Sequence, residues 1–350
     1  MKNGIICGTG RAGTFLHYGA HINANAKIVA FVDINLEAAK TACTKYNVDG
    51  AFSSLQEAID KYPETDFVDI CTNSSSHLEL IKIAVKNKKH VLVEKPIVES
   101  IEELEELKQI KEQNQDLCIC AVHNHRFYPA VSNAREMIKR GDLGDIVSIH
   151  REMTFNHDTI RMMESDHWSH GIPGGRLFEA NPHNLYLLHS FIGDFDLVDI
   201  YGRKSTEYYN HANIDEFQAI FKSLKTTINL KMSICTEGSN YGKHGPNFFV
   251  IVGTKKTIIF NYNRLWIYND TIINSLKMSF GELLIHLKNK LTKSSNPKIN
   301  DGEGSGHKWI IEKFIGFIEG RFKEEPVPFE ESYFVQKMNL KMGMLLENKN

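Results

Sequence analysis

The chain has 350 residues, 42% of them hydrophobic, with 41 basic and 43 acidic residues and a formal net charge of -2. That length exceeds what one ordinary core absorbs and predicts roughly two domains. Interspersed, balanced charge excludes the single-sign field that recruits nucleic acid or an anionic membrane, so the expected partner is a small molecule. The first residues, Met1-Lys2-Asn3-Gly4-Ile5-Ile6-Cys7-Gly8, form too short an apolar run for a signal peptide and lead straight into a glycine motif. Lys2 to Cys7, Lys27 to Val32, Phe67 to Cys71, His90 to Val93 and Leu117 to Val122 are short, apolar and β-branched, with helical stretches between most of them. This alternation predicts a parallel, doubly wound α/β sheet over residues 1–122. The clearest helix is Ser100 to Asn114, where Ile101, Leu104, Leu107 and Ile110 recur every three residues and Ser100 with Glu103 forms a capping box.

From Asp145 the pattern changes to longer alternating strands: Ile146 to Thr154, Leu197 to Arg203, Phe217 to Phe221, Thr226 to Met232, Phe248 to Val252, Thr257 to Phe260 and Arg264 to Tyr268. With a helix near His183 to Phe191, they predict an α+β second domain, residues 123–350, built on a mostly antiparallel sheet. Phe280 to Leu291 reads as an amphipathic helix packed on that domain or on a neighbouring subunit, with a membrane surface as the alternative, and Thr292 to Gly306 as a loop. No stretch is long enough to span a membrane. The six scattered cysteines, Cys7, Cys43, Cys71, Cys118, Cys120 and Cys235, fit a reducing cytoplasm. Cys118 and Cys120 lack a second ligand pair and read as core thiols, so no metal is expected.

Gly8-Thr9-Gly10-Arg11-Ala12-Gly13 is a G-x-G-x-x-G run that follows a strand, opens a helix and precedes Asp33 at the end of the next strand. In such a dinucleotide site Gly8 makes the tight turn, Gly10 admits the pyrophosphate, and Gly13 lets helix and strand pack closely. Asp33 would accept the adenosine ribose hydroxyls and repel a 2′-phosphate, which favours NAD. Arg11 and Lys40 are the cations that leave NADP open.

At Glu94-Lys95-Pro96 the chain resembles the glucose-fructose oxidoreductase, inositol dehydrogenase and rhizopine-catabolism (Gfo/Idh/MocA) family. Thr72-Asn73 followed by His77, Arg126-Phe127-Tyr128-Pro129, Gly141-Asp142-Leu143-Gly144, Gly174-Gly175 with His183, and the Gly253-Thr254 turn agree with it in order. The resemblance implies a Rossmann domain, then a domain whose open sheet often forms the oligomer interface, here a homodimer or homotetramer. It adds Thr72, Asn73, His77, Glu94 and Lys95 to the cofactor site and marks His183 as the catalytic histidine.

Oxidising an alcohol with nicotinamide requires a base for the hydroxyl proton, and histidine titrates in the right range. Lys95, at the carboxyl end of a strand where ligands bind in open α/β sheets, can stabilise the developing alkoxide. Glu179 stands where many relatives carry an Asp four residues before the histidine; it is either an auxiliary acid or substrate anchor, or a surface carboxylate preceding the helix that Asn181-Pro182 starts. Asn124, His125, Arg126, Trp168 and Arg176 are the substrate-side candidates, with burial of Trp168 and a surface ion pair for Arg176 as their alternatives. Together these features imply an NAD(P)-dependent dehydrogenase of a sugar, nucleotide sugar or cyclic polyol. The rival readings are a glycosidase or lyase that recycles its NAD and a non-catalytic ligand sensor.

Overall fold

In the computed structural model the described residues are 1–156, 167–204, 214–236, 247–268 and 306–349. The expected helix 280–291, the loop from 292 up to Gly306 and the Cys235 side chain lie outside them.

Six strands, β1 (Lys2–Cys7), β2 (Ala26–Val32), β3 (Gly50–Phe52), β4 (Phe67–Ile70), β5 (His90–Val93) and β6 (Ile119–Ala121), form a parallel sheet in the order β3-β2-β1-β4-β5-β6. The order reverses between β1 and β4, which opens a crevice at their carboxyl ends. β3 escaped the sequence reading because three residues carry too little periodicity to register. One face of the sheet packs against α1 (Tyr18–Asn23) and α2 (Leu36–Tyr46), and the other against α3 (Leu55–Lys61), α4 (His77–Lys86) and α5 (Ile101–Gln113). The Ser100 hydroxyl accepts from the Glu103 amide at 3.1 Å and the Glu103 carboxylate returns to the Ser100 amide, so the expected capping box forms.

α6 (Pro129–Lys139) leads to β7 (Ile146–Asn156), the centre of a seven-stranded sheet with β8 (Asp196–Arg203), β9 (Glu216–Lys222), β10 (Thr227–Thr236), β11 (Asn247–Gly253), β12 (Thr257–Phe260) and β13 (Leu265–Tyr268). Its order is β13-β12-β11-β7-β10-β9-β8, antiparallel except for the β7–β10 pair. Its inner face is covered by α6, α7 (Arg176–Ala180), α8 (Pro182–Ile192) and the long terminal helix α10 (Phe329–Lys349). Before it, α9 (His307–Ile318) returns to the first unit and inserts Ile310, Ile311, Phe314 and Ile315 into the core shared by β1, β2 and α1. Thus the sheets change near residue 122, yet the end of the chain is packed on both. Among the described residues no helix is long and apolar enough to cross a membrane.

Candidate functional site

The glycine run is built as its spacing requires. Gly8 has φ 92°, and a Cβ there would stand 2.6 Å from the Cys71 carbonyl oxygen. At Gly13 a Cβ would meet the Gly8 carbonyl oxygen at 2.1 Å and Ile6 at 2.9 Å, so the helix can approach the strand only without a side chain. Gly10 faces open space, with nothing within 4 Å of the corresponding point. That is a cradle a diphosphate fits. The helical segment that follows starts as a π-helix, Arg11–His17, before continuing as α1; Arg11 is exposed and Ala12 packs on the core. Asp33 accepts from the Thr9 amide at 2.9 Å, the Thr9 hydroxyl at 2.7 Å and the Asn35 amide at 3.0 Å. Partial burial opposes its ionisation, but these donors outweigh it and hold Asp33 below the usual carboxylate range. Lys40 is engaged by Glu37 at 2.7 Å.

Thr72 and Asn73 continue β4 into a short turn, where the Thr72 hydroxyl accepts from Ser76 at 2.7 Å. His77 is buried beneath that turn, with Nδ1 3.0 Å from the Pro96 carbonyl and Nε2 3.2 Å from the Thr72 carbonyl. It lies between the two turns at the carboxyl edge; burial lowers its pKa, and the neutral ring has one N–H to share between the two carbonyls. Lys95 precedes a cis peptide bond to Pro96.

Across the crevice, α7 brings Glu179 to Lys95. One carboxylate oxygen of Glu179 pairs with the Lys95 ammonium and the other with the Arg176 guanidinium, and the Lys95 ammonium also lies 3.4 Å from the Glu179 carbonyl. Glu179 and Arg176 are both buried, which corrects the surface alternatives for each. Burial alone would raise the Glu179 pKa; the charges of Lys95 and Arg176 lower it below the carboxylate norm.

His183 lies on the first turn of α8, where Pro182 occupies the first helical position. Its Nδ1 is 2.7 Å from the Tyr186 hydroxyl, one turn along. The same hydroxyl accepts from the His125 amide at 3.0 Å and lies 3.4 Å from Asn124 Oδ1. A phenol has one proton and two acceptor positions, so donation toward Asn124 leaves a position for an Nδ1–H of His183 and exposes the Nε2 lone pair. The His125 ring stacks on His183, with centroids 3.8 Å apart and planes at 17°. Burial, then the neighbouring His125 and Lys95, push the His183 pKa well below the usual histidine range. The side chain is therefore a neutral ring with an available base.

Arg126 goes elsewhere. Its guanidinium is buried on Glu331 of α10 at 2.7 Å, and Glu331 also takes His123 Nδ1 at 3.0 Å. The substrate-side expectation for Arg126 overlooked Glu331, 205 residues away in sequence. Trp168, half-buried, opens a short turn packed on α7.

Sequence reasoning also missed His17, Asp69, Tyr186 and His307. Two of them carry a readable signal. Asp69 interrupts the apolar run Phe67-Val68-Asp69-Ile70 of a buried strand, and His17 and His21 share a helical spacing of four.

Residues 2–122 match the oxidoreductase family described by its NAD-binding Rossmann fold, and residues 131–259 match the Gfo/Idh/MocA C-terminal domain. Among characterised relatives, the myo-inositol 2-dehydrogenase of Thermotoga maritima is 26% identical over 144 residues, 41% of this chain and 42% of that protein. The alignment thus spans less than half of that relative. Two solved structures share the fold over nearly all of both chains. Scyllo-inositol dehydrogenase from Lactobacillus casei, with bound NAD(H) and scyllo-inositol, has a TM-score of 0.77 at 19% identity and covers 100% of this chain and 98% of its own. UDP-N-acetylglucosamine 3-dehydrogenase from Acidithiobacillus ferrooxidans has a TM-score of 0.72 at 18% identity, covering 99% and 98%. With both domain types matched in order and the glycine cradle, Asp33 and the Glu94-Lys95-Pro96 turn on one sheet edge, this chain belongs to the Gfo/Idh/MocA family of NAD-binding oxidoreductases.

Proposed function

We propose that the protein transfers a hydride between NAD and a hydroxyl-bearing carbon of a cyclic polyol, sugar or nucleotide sugar. The observation that carries this reading is the pairing of Lys95 with Glu179 at the edge of a dinucleotide-binding sheet, with His183 near enough to feel the Lys95 charge. When bound, oxidised nicotinamide supplies the hydride acceptor. Gly8, Thr9, Gly10, Arg11, Ala12 and Gly13 cradle the diphosphate, and Asp33 takes the adenosine ribose. Thr72, Asn73 and Glu94 line the other half, with His77 between their two turns. His183 Nε2 takes the hydroxyl proton. The Lys95 ammonium, anchored by Glu179, has a donor left for the same oxygen and stabilises the negative charge that develops on it. Asn124, Trp168 and Arg176 shape the substrate side, Arg176 by holding Glu179. The Asp33 carboxylate and the engagement of Lys40 by Glu37 support NAD over NADP.

A cytoplasmic setting belongs to this reading, supported by the free, buried thiols Cys7, Cys43, Cys71, Cys118 and Cys120. So does assembly into a homodimer or homotetramer through the outer face of the second sheet.

The test is a panel of cyclic polyols, sugars and nucleotide sugars with NAD, followed by His183→Ala on whichever is oxidised. Turnover should fall by about a hundred- to ten-thousandfold with NAD affinity retained. Lys95→Ala should cost a comparable amount. Turnover of a glycoside without net cofactor reduction would favour the redox-cycling reaction, and near-normal turnover in a folded His183→Ala protein would remove the mechanism.

A further inference from the structure

Below the glycine cradle lies a chain of buried titratable groups that ends on Glu94 and whose other members the proposed reaction leaves unused. His17 ends the π-helical turn and His21 follows on α1; both reach Asp69, which projects from β4 toward that helix. All three are fully buried. Asp69 Oδ2 lies 2.9 Å from His17 Nδ1 and 2.6 Å from His21 Nε2. The other nitrogen of His17, Nε2, is 3.1 Å from Glu94 Oε1, which also lies 3.3 Å from His307 Nε2 of α9. The Cys71 thiol completes the surroundings, 3.3 Å from His17 Nδ1 and 3.4 Å from Asp69 Oδ1. Glu94 Oε2 accepts the Lys95 amide at 3.1 Å.

Proton counting assigns the charges. A neutral imidazole has one N–H and one lone pair, but His17 has a carboxylate oxygen at each nitrogen. A neutral ring would aim a lone pair at one of them; an imidazolium donates to both. His21 and His307 each need only one N–H toward their carboxylate, and the Cys71 thiol can donate to Asp69. The run Asp69, His17, Glu94, Lys95, Glu179, Arg176 then alternates negative and positive, and its charges cancel, as a buried cluster requires. Burial opposes the His17 charge, yet Asp69 more than reverses this and holds the ring's pKa well above its usual range. Glu94 is held well below the carboxylate range, against burial, by His17 and His307. Separations of 2.6 and 2.9 Å around Asp69 are hydrogen bonds, since ligands of one tetrahedral ion at ~2.0–2.1 Å would stand about 3.3 Å apart; the Glu94 contacts of 3.1 and 3.3 Å match that spacing, and the nitrogen-15 spectra below separate a bound metal from the ion pair.

We propose that His17 is a positioning residue for the nicotinamide end of the cofactor: its imidazolium ties the Glu94 carboxylate, and with it the Lys95 turn, to Asp69 in the sheet. This rests on the oxidoreductase reading above. Glu94 lies on the half of the sheet beyond the reversal in strand order, away from Asp33, and its tethered carboxylate is an acceptor suited to the amide and hydroxyl donors of a nicotinamide riboside. The adenosine half is held by the glycine cradle and Asp33 and does not depend on His17.

The test compares NADH with ADP-ribose, which lacks nicotinamide, on the full-length protein. His17→Asn alone leaves two buried carboxylates without their cation and should lower the melting temperature. His17→Asn with Asp69→Asn removes one of those carboxylates, so stability should recover while Glu94 loses its tie to the sheet and keeps only His307. That double variant should bind ADP-ribose normally and NADH about tenfold more weakly. Recovery of NADH binding together with stability, or equal weakening of both ligands, assigns His17 a purely structural role and overturns the proposal. In the unmodified protein, nitrogen-15 spectra of the histidine rings at a pH above the ordinary histidine value of about 6.5 should contain an imidazolium whose signals move on adding NADH but not ADP-ribose. A neutral or metal-bound ring in its place also overturns it. Failure to oxidise any polyol or sugar strikes the hydride-transfer reading instead and leaves these binding results standing.

Discussion

At the scale of single residues, the candidate base depends on one phenol. The Tyr186 hydroxyl, 2.7 Å away, is the acceptor that keeps the His183 proton on Nδ1 and leaves the Nε2 lone pair free. Tyr186→Phe removes the acceptor and lets the tautomers mix. Turnover should fall by about tenfold or more, less than the hundred- to ten-thousandfold loss of deleting the base itself, with cofactor affinity unchanged. The lowered His183 pKa adds a sign: the neutral ring persists as pH falls, so the acid limb of kcat/KM should lie below the ordinary histidine value of about 6.5. Steady-state kinetics from pH 5 to pH 9 on both proteins check this; unchanged turnover in Tyr186→Phe, or an acid limb above 6.5, contradicts it.

At the scale of elements, the turn between β1 and the first helical segment separates folding from binding within one motif. A Cβ at Gly13 collides with backbone, so Gly13→Ala must push the helix off the strand. It should cost about 1–3 kcal/mol and weaken the cofactor site with it. Gly10 has an ordinary φ of -71° and open space before it, so Gly10→Ala should leave stability within about 0.5 kcal/mol yet reduce NAD affinity. Denaturant melts and calorimetric titration of NAD distinguish the pair; equal effects on both quantities in both variants would show that Gly10 does not face the diphosphate. The π-helical turn after them was invisible in the residue pattern, because a hydrophobic repeat does not distinguish i→i+5 from i→i+4 bonding over a single turn.

At the scale of the whole molecule, the outer face of the second sheet carries apolar side chains beside the polar His150, Glu152, Gln218, Asn229 and Lys231 of its central strands. The strand registers align Tyr201, Ile220, Phe248, Val250, Ile259, Trp266 and Tyr268 on the side away from the helices. Tyr201 is 63% exposed, Ile220 44% and Tyr268 60%. Such a face fits an interface burying about 800 Å² per partner. Light scattering at micromolar concentration should report a dimer or tetramer, and Tyr201→Lys with Ile220→Lys should reduce its mass while the monomer stays folded. A monomer in the unmodified protein contradicts the expectation.

Local order in this protein was legible from residue sequence. The strands of the first sheet, the capping box at Ser100, the glycine cradle with Asp33 and most strands of the second sheet follow from turn chemistry, periodicity and steric demands that act over a few neighbours. Lys95 and His183 were singled out from a strand tip and a helix start, His183 through the resemblance of its surroundings to the family. What surrounds them was not legible. The partners of Glu179, Arg126 and His17 are Lys95, Glu331 and the Asp69–Glu94 pair, at sequence separations from 52 to 205. A long-range ion pair leaves no periodic trace in either segment, and a carboxylate in a sequence looks the same whether it meets water or a buried cation. Only the packing of α9 and α10 against the first unit, with α7 and α8 set beside it on the second sheet, decided which charges were removed from water together, and burial then fixed their protonation by requiring each charge to find its opposite.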